Sequence, residues 1–181
     1  PSFDYRWNAT IILYRPLPNL PRQTLLQDLT GQTVKDYQVL RRLGRGAMAE
    51  VYLAEQRSLA RPVALKILNA QLANDPTSIE RFQHEARAAA SLVHGNIVQI
   101  HEVGYFDGIH FIAQEYVAGR DLGELIRRHG RLEPGLTLDI LRQVAAALHR
   151  AAEQGIVHRD IKPENIMFSQ SGEVKVADFG L

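Results

Sequence analysis

The chain has 181 residues, of which 45% are apolar and 23% charged, and its formal net charge is +1. That balance fits a globular chain with a real core, one ordinary domain or two small lobes, and gives no electrostatic case for nucleic acid or an anionic membrane as partner. The absence of cysteine excludes disulfides and thiolate metal sites and makes a reducing compartment the natural setting, and no apolar run approaches the roughly 18 residues of a membrane span.

Residues 1–36 have no sustained period and are punctuated by Pro16, Pro18 and Pro21, so they read as a tether or loosely docked extension. No signal peptide is expected there, because the apolar run Ala9–Tyr14 is short and lacks a basic leader and a small-residue cleavage site. The pattern tightens from Tyr37. Tyr37–Leu43 and Glu50–Ala54 are β-prone segments flanking a glycine turn, and Val63–Leu68 is a third strand. Asp75 is placed to cap a helix with Pro76 at its first position and Ile79, Phe82, Ala86, Ala89 and Val93 along one stripe. Ile97–Val103 and Ile109–Val117 then read as two strands joined by a turn at Tyr105–Gly108.

After Gly119 the bias turns helical. Asp121–His129 reads as a short helix closed by Gly130. Pro134–Gln154 reads as a long helix with a stripe of Leu138, Leu141, Val144, Ala145, Leu148 and Ala152, capped by Gly155. Ile166–Phe168 and Val174–Ala177 are short strands around Ser171-Gly172. Five strands with one helix, followed by a mostly helical part, make a two-lobed α+β layout.

Five groups of residues carry chemistry. Leu43-Gly44-Arg45-Gly46-Ala47-Met48-Ala49-Glu50-Val51 places glycines in a hairpin turn, where backbone N–H groups can approach phosphate oxygens without Cβ interference. Alone, such a run is more often a plain turn. It is neither a dinucleotide fingerprint, since a strand follows it, nor a P-loop, since no Gly-Lys-Ser/Thr closes it. Lys66, in Val63-Ala64-Leu65-Lys66, is a strand lysine that either meets an anionic partner or snorkels to water. Glu85 lies beside the apolar stripe of its helix, able to reach inward to a strand lysine or to stay solvated. His158-Arg159-Asp160-Ile161-Lys162-Pro163-Glu164-Asn165 packs a carboxylate, a cation and an amide into one loop, the groups phosphoryl transfer needs. Asp178-Phe179-Gly180 puts a carboxylate at a strand end, suited to a hard cation shared with phosphates.

In that order, on those elements, the five motifs resemble the protein-kinase family over Tyr37–Leu181. The resemblance implies a two-lobed kinase fold: a five-stranded antiparallel small lobe and hinge over 37–118, and a helical large lobe, incomplete in this chain, over 119–181. It implies ATP and Mg²⁺. Leu43, Gly44, Arg45 and Gly46 would cover the nucleotide phosphates, and Lys66 would contact them while paired with Glu85. Val51 and Ala64 would roof the adenine pocket with Met167 as its floor. Glu115, Tyr116 and Val117 would be the hinge, with Gln114 as gatekeeper. Asp160 would orient and deprotonate the acceptor hydroxyl, Lys162 would neutralise the γ-phosphoryl group, and Asn165 and Asp178 would hold the metal.

Lys162, two residues after Asp160, is similar to the Ser/Thr-specific pattern, and Glu85–Ala90 with Ile161–Ile166 resembles the bacterial eukaryotic-like kinases. The implied partner is a protein substrate in the cytoplasm. Ala49 stands where a third loop glycine is expected, which is tolerated where φ is negative, and Gly95 replaces the usual proline of the His94–Val98 turn. The activation segment and later helices do not follow Leu181 in this sequence. The chain is therefore expected to bind nucleotide without turnover, and the long helix to expose part of its stripe. Two other readings remain: a non-catalytic ATP-binding regulatory module, and a small-molecule phosphotransferase, which Lys162 disfavours.

Overall fold

The computed structural model describes residues 28–179. The first sheet is antiparallel throughout: β1 (Thr33–Val34), β2 (Tyr37–Arg45), β3 (Ala49–Gln56), β4 (Arg61–Leu68), β5 (Ile100–Phe106) and β6 (Ile109–Glu115), in spatial order β1-β2-β3-β4-β6-β5. Four of these strands overlie the segments read from sequence, and β5 lies three residues later than read, at Ile100–Phe106 in place of Ile97–Val103. The sixth, β1, has two residues and no period to betray it, yet Leu29 and Val34 are buried with Tyr37, Val39, Tyr52 and Phe111 in the sheet's core. The packed chain therefore starts before Tyr37, inside the stretch expected to be an extension, and residues 1–27 lie outside the described residues.

Register shifts between Val39 and Arg41 and between Arg42 and Gly44 bend β2 as it enters the glycine turn. Helix α1 (Pro76–Ala90) starts as its cap predicts: the Asp75 carboxylate accepts from the Ser78 N–H at 3.0 Å. Phe82 and Ala86 of α1 pack with Ala49, Leu68 and Ile112 against one face of the sheet. Val93, placed on that stripe from sequence, is 69% exposed, because the helix ends at Ala90 and the chain turns away after Ser91.

The second part combines β7 (Gly119–Asp121), β8 (Ile166–Ser169) and β9 (Val174–Val176) with α2 (Leu122–His129) and α3 (Pro134–Glu153). β7 escaped the sequence reading, since Gly119-Arg120-Asp121 carries no β-prone side chain. Glycine is required at its start, because a Cβ on Gly119 would lie 2.0 Å from the Phe168 carbonyl oxygen. The buried face of α3 is Ile140, Val144, Ala147 and Ala151, packed on Val174, Val176, Leu92 and Ile97. That face is rotated from the stripe read in sequence, of which Val144 alone is fully buried and Leu148 packs at the edge. Leu138 and Leu141 are 68% and 56% exposed, so part of the stripe is indeed bare. The helix is apolar over so wide an arc that periodicity alone does not choose the face.

β9 ties the two parts together. Val176 donates to the Asn96 carbonyl at 2.8 Å and accepts from the Val98 N–H at 2.9 Å, and the Asn96 side chain donates to the Val174 carbonyl at 2.8 Å. Among the described residues no helix is long and apolar enough to cross a membrane.

Candidate active site

The glycine turn sits between β2 and β3. Among the described residues neither Gly44 nor Gly46 has the positive φ that demands glycine. A Cβ on Gly44 would meet no protein atom, and one on Gly46 would meet only the Ala49 carbonyl oxygen at 3.3 Å. At Gly46 that contact is tight and with backbone, so the turn itself favours glycine there, whereas at Gly44 the fold gives no steric reason for one. Ala49 is buried and its φ is not positive, the condition under which alanine is tolerated in place of a third glycine. Glu50 anchors the turn's base: its carboxylate takes Arg45 Nε at 3.0 Å, Arg42 Nη1 at 3.5 Å and the Tyr52 hydroxyl at 2.5 Å. Leu43 is exposed on β2, and Gly44 pairs with Val51.

β3 and β4 run in register with Val51 opposite Lys66 and Leu53 opposite Ala64. Alternation along each strand therefore sets Val51, Ala64 and Lys66 on one face of the sheet. Lys66 does not pair with Glu85. Its Nζ instead donates to Asp178 Oδ1 at 2.7 Å. Glu85 is 7% exposed, and its Oε1 is buried without a hydrogen-bond partner. Burial pushes the Glu85 carboxyl above the usual range; the Lys66 charge opposes this and Asp178 adds to it. The expectation of a Lys66–Glu85 pair is therefore corrected for this conformation. Both carboxylates line the same cavity of about 20 Å³, with Lys66, Gln114 and Phe179, and the single ammonium sits on the one that is less buried.

The His158–Asn165 loop is assembled by its own side chains. Lys162 Nζ lies 2.6 Å from Asp160 Oδ2, and Asn165 Nδ2 donates to the Asp160 carbonyl at 2.8 Å and to Oδ2 at 3.1 Å. The hydrogen bond from Lys162 holds the Asp160 carboxyl below its ordinary value, and Asp160 in turn raises Lys162. His158 is buried and bridges this loop to β9. Its Nδ1 accepts from the Asp160 N–H at 3.3 Å, so Nε2 carries the proton donated to the Ala177 carbonyl at 2.9 Å. Its ring rests 4.6 Å from that of Phe179. Two non-glycine residues of the site, Arg159 (φ 66°) and Asp178 (φ 58°), hold left-handed backbone, at about 1–3 kcal/mol each.

The donor set fits a hard cation shared with phosphate. Asn165 is buried, and with its Nδ2 committed to Asp160 its Oδ1 accepts no hydrogen bond among the described residues. Asp178 has a second carboxylate oxygen beyond the one on Lys66. No group of three His, Cys, Asp or Glu side chains clusters among the described residues, and Mg²⁺ seated on one or two protein oxygens plus phosphates does not need one.

The segment after β6 leaves β4 at Glu115. Among the described residues neither the N–H nor the C=O of Val117 bonds another backbone group, although the residue is buried. Tyr116 is half-buried beside it. Glu115 itself is engaged: its Oε1 takes Lys175 Nζ at 2.9 Å and its Oε2 the Gln99 N–H at 3.2 Å. Met167 lies on β8 between Asp121 and Lys175 and is partly buried. Sequence reading missed Glu50, Asn69, Lys175 and the bridging role of His158; a charged residue inside a strand at Glu50 and Lys175 is the only signal they left.

The model of the protein kinase domain matches residues 37–181. The chain belongs to the protein kinase family. This kinase chain is 49% identical over 145 residues to the serine/threonine-protein kinase PrkC of Bacillus subtilis, covering 80% of itself and 22% of that protein. It is 40% identical over 151 residues to PknD of Mycobacterium tuberculosis, covering 83% and 23%. Among solved structures it superposes on the Mycobacterium tuberculosis PknI kinase domain with a TM-score of 0.71 at 39% identity, covering 83% of itself and 60% of that chain. It thus spans about a fifth of the length of the curated relatives and about three fifths of the solved kinase domain, consistent with an incomplete two-lobed kinase fold.

Proposed function

We propose that residues 37–118 form the small lobe and hinge of a nucleotide site, residues 119–181 the start of the large lobe, and residues 1–36 an extension whose end docks on the small lobe. ATP with Mg²⁺ binds between the lobes, and the protein to which this stretch belongs transfers the γ-phosphoryl group to Ser or Thr hydroxyls of proteins. The observation that carries this reading is the convergence of Asp160, Lys162 and Asn165 in one loop, joined through His158 to the strand that presents Asp178.

The roles follow from the chemistry. The stretch Leu43–Gly46 and the turn it enters cover the phosphates, Val51, Ala64 and Met167 enclose the base, and Glu115–Val117 offers the free backbone groups of Val117 to its polar edge. Lys66 brings a fixed charge to the phosphates. Asp160, held ionised by Lys162, orients the acceptor hydroxyl and accepts its proton as the new P–O bond forms and the bond from the γ-phosphorus to the bridging oxygen breaks, releasing ADP. Lys162 balances charge on the moving phosphoryl group. Asn165 Oδ1 and the Asp178 carboxylate are the oxygens that would hold Mg²⁺, which when bound neutralises phosphate charge. Glu85, which lines the same cavity, would be the carboxylate left to Lys66 if the Asp178 carboxylate held Mg²⁺. The names of the relatives and the position of Lys162 favour Ser/Thr over Tyr. A cytoplasmic setting goes with this reading, since ATP is a cytosolic substrate.

Titration calorimetry of the chain with ATP, with and without Mg²⁺, tests the binding half; no Mg²⁺-dependent heat sinks it. The transfer half is tested in the longer protein, where Asp160→Asn should abolish phosphorylation of Ser/Thr substrates. The 181-residue chain should bind without transferring, and transfer by it that vanished in Asp160→Asn would overturn that point. A non-catalytic ATP-binding module is the second reading, favoured only by the Lys66–Asp178 contact.

A further inference from the structure

The residue that follows β4, Asn69, is joined to three consecutive carbonyls of the glycine turn. Its side-chain Nδ2 donates to the Gly46 carbonyl at 3.2 Å and to the Ala47 carbonyl at 2.7 Å, and its backbone N–H donates to the Met48 carbonyl at 2.9 Å. Both side-chain partners are acceptors, so only the NH₂ end of the amide can face them. Gly46 N–H in turn donates to the Ala49 carbonyl at 2.8 Å, which makes Ala47-Met48 the tip of the turn.

Fixing these carbonyls fixes the N–H groups on the other side of the same peptide planes. Every described peptide bond is trans, and in a trans peptide the C=O and N–H point in opposite directions. With the Gly46 and Ala47 carbonyls held on Asn69, the N–H groups of Ala47 and Met48 point away from it. Neither donates to another backbone group among the described residues. Two adjacent free N–H groups with a common direction form an anion-receiving concavity. Without the latch, each tip peptide can rotate and turn a carbonyl, with its negative end, toward the same space.

We propose that Asn69 is a positioning residue that latches the tip of the glycine turn, aiming the Ala47 and Met48 N–H groups at nucleotide phosphates. This rests on the nucleotide-binding reading above. It adds a residue outside the five motifs, placed by nothing more than its position one step past the strand of Lys66. Glu50 holds the base of the turn through Arg42 and Arg45, and Asn69 its tip.

The test is titration of the full chain, unaltered and as Asn69→Ala and Asn69→Leu, with Mg·ATP and separately with adenosine. Leucine keeps the bulk and removes both donors. The latch predicts that both variants lose about five- to tenfold in ATP affinity, the scale of one or two net hydrogen bonds, with adenosine affinity unchanged. A merely structural role would weaken both ligands together, and that result, like unchanged ATP affinity, overturns the latch while leaving the nucleotide reading intact. An unaltered chain that bound no ATP would overturn the nucleotide reading and the latch with it. Exchange of the Asn69 side-chain amide protons tests the contact without substitution: they should be protected in the free chain and with ATP, and rapid exchange in either state overturns the proposal.

Discussion

Lys66 and Lys162 each hold an aspartate, at 2.7 and 2.6 Å, but the chain builds the two pairs in opposite ways. Lys162 and Asp160 are two residues apart in one loop, with Asn165 completing the cluster, so closing it needs only local order. Lys66 and Asp178 are separated by 112 positions and come from β4 and the end of β9. A third group, Glu85, stands at the same cavity without a cation. The loop is assembled before any ligand arrives, whereas the cleft has one ammonium for two carboxylates and a choice between them.

The His158 side chain joins the Asp160 loop to the Ala177 carbonyl, next to Asp178, so its loss should have the largest effect. His158→Ala removes two hydrogen bonds and a buried ring, and should destabilise the fold by about 2–4 kcal/mol, read by denaturant unfolding. Retention of full stability would mean that loop and strand are not joined as described. Lys66→Met should lower ATP affinity by about ten- to hundredfold, the worth of a charge-assisted hydrogen bond of roughly 1.5–3 kcal/mol. Untouched affinity would count against the cleft as the phosphate site.

Glu85 offers a sharper contrast through pH. Its folded-state carboxyl is raised by burial, so it favours the fold below the ordinary glutamate range, and that contribution is lost as pH climbs through the raised value. Glu85→Gln should therefore gain in melting temperature relative to the unaltered chain as pH rises from 4 to 7, by about 2–4 °C for each kcal/mol of lost ionisation penalty. A difference that stays flat with pH would show that Glu85 is already paired. The smallest effect belongs to the exposed pair. With Lys162 and Asp160 46% and 36% exposed, Lys162→Ala should leave the denaturant midpoint unchanged, and a clear drop would show the loop to depend on that bond.

Much of this was legible in the residues. The strand Val63–Leu68 and the Asp75-Pro76 helix start each carry a local signal and fell where expected, and the five ordered motifs carried the family. The loop cluster was legible for the same reason: its members are close in sequence. What was hidden depends on long-range packing. Nothing in the sequence of α3 says which of two adjacent apolar stripes meets Val174 and Val176, and a two-residue strand such as β1 has no period to read. The partner of Lys66 was hidden for a further reason. Two carboxylates line the cavity with it, and no local pattern announces which of them takes the ammonium.

β9 has three residues, and its short length sets a leash. Lys175 is held at Glu115, where the chain passes from the first sheet to the second part, and Asp178 follows only three residues later. Three residues of extended chain span about 10–11 Å at most, so the Asp178 backbone stays within that reach of the Lys175 backbone, whose side chain is held at the crossing point. A movement that opens the gap between the two parts must either break the Lys175–Glu115 contact or pull Asp178 along with it. Through the Lys175–Glu115 side-chain contact, a change in the angle between the two halves is coupled to the position of one oxygen pair.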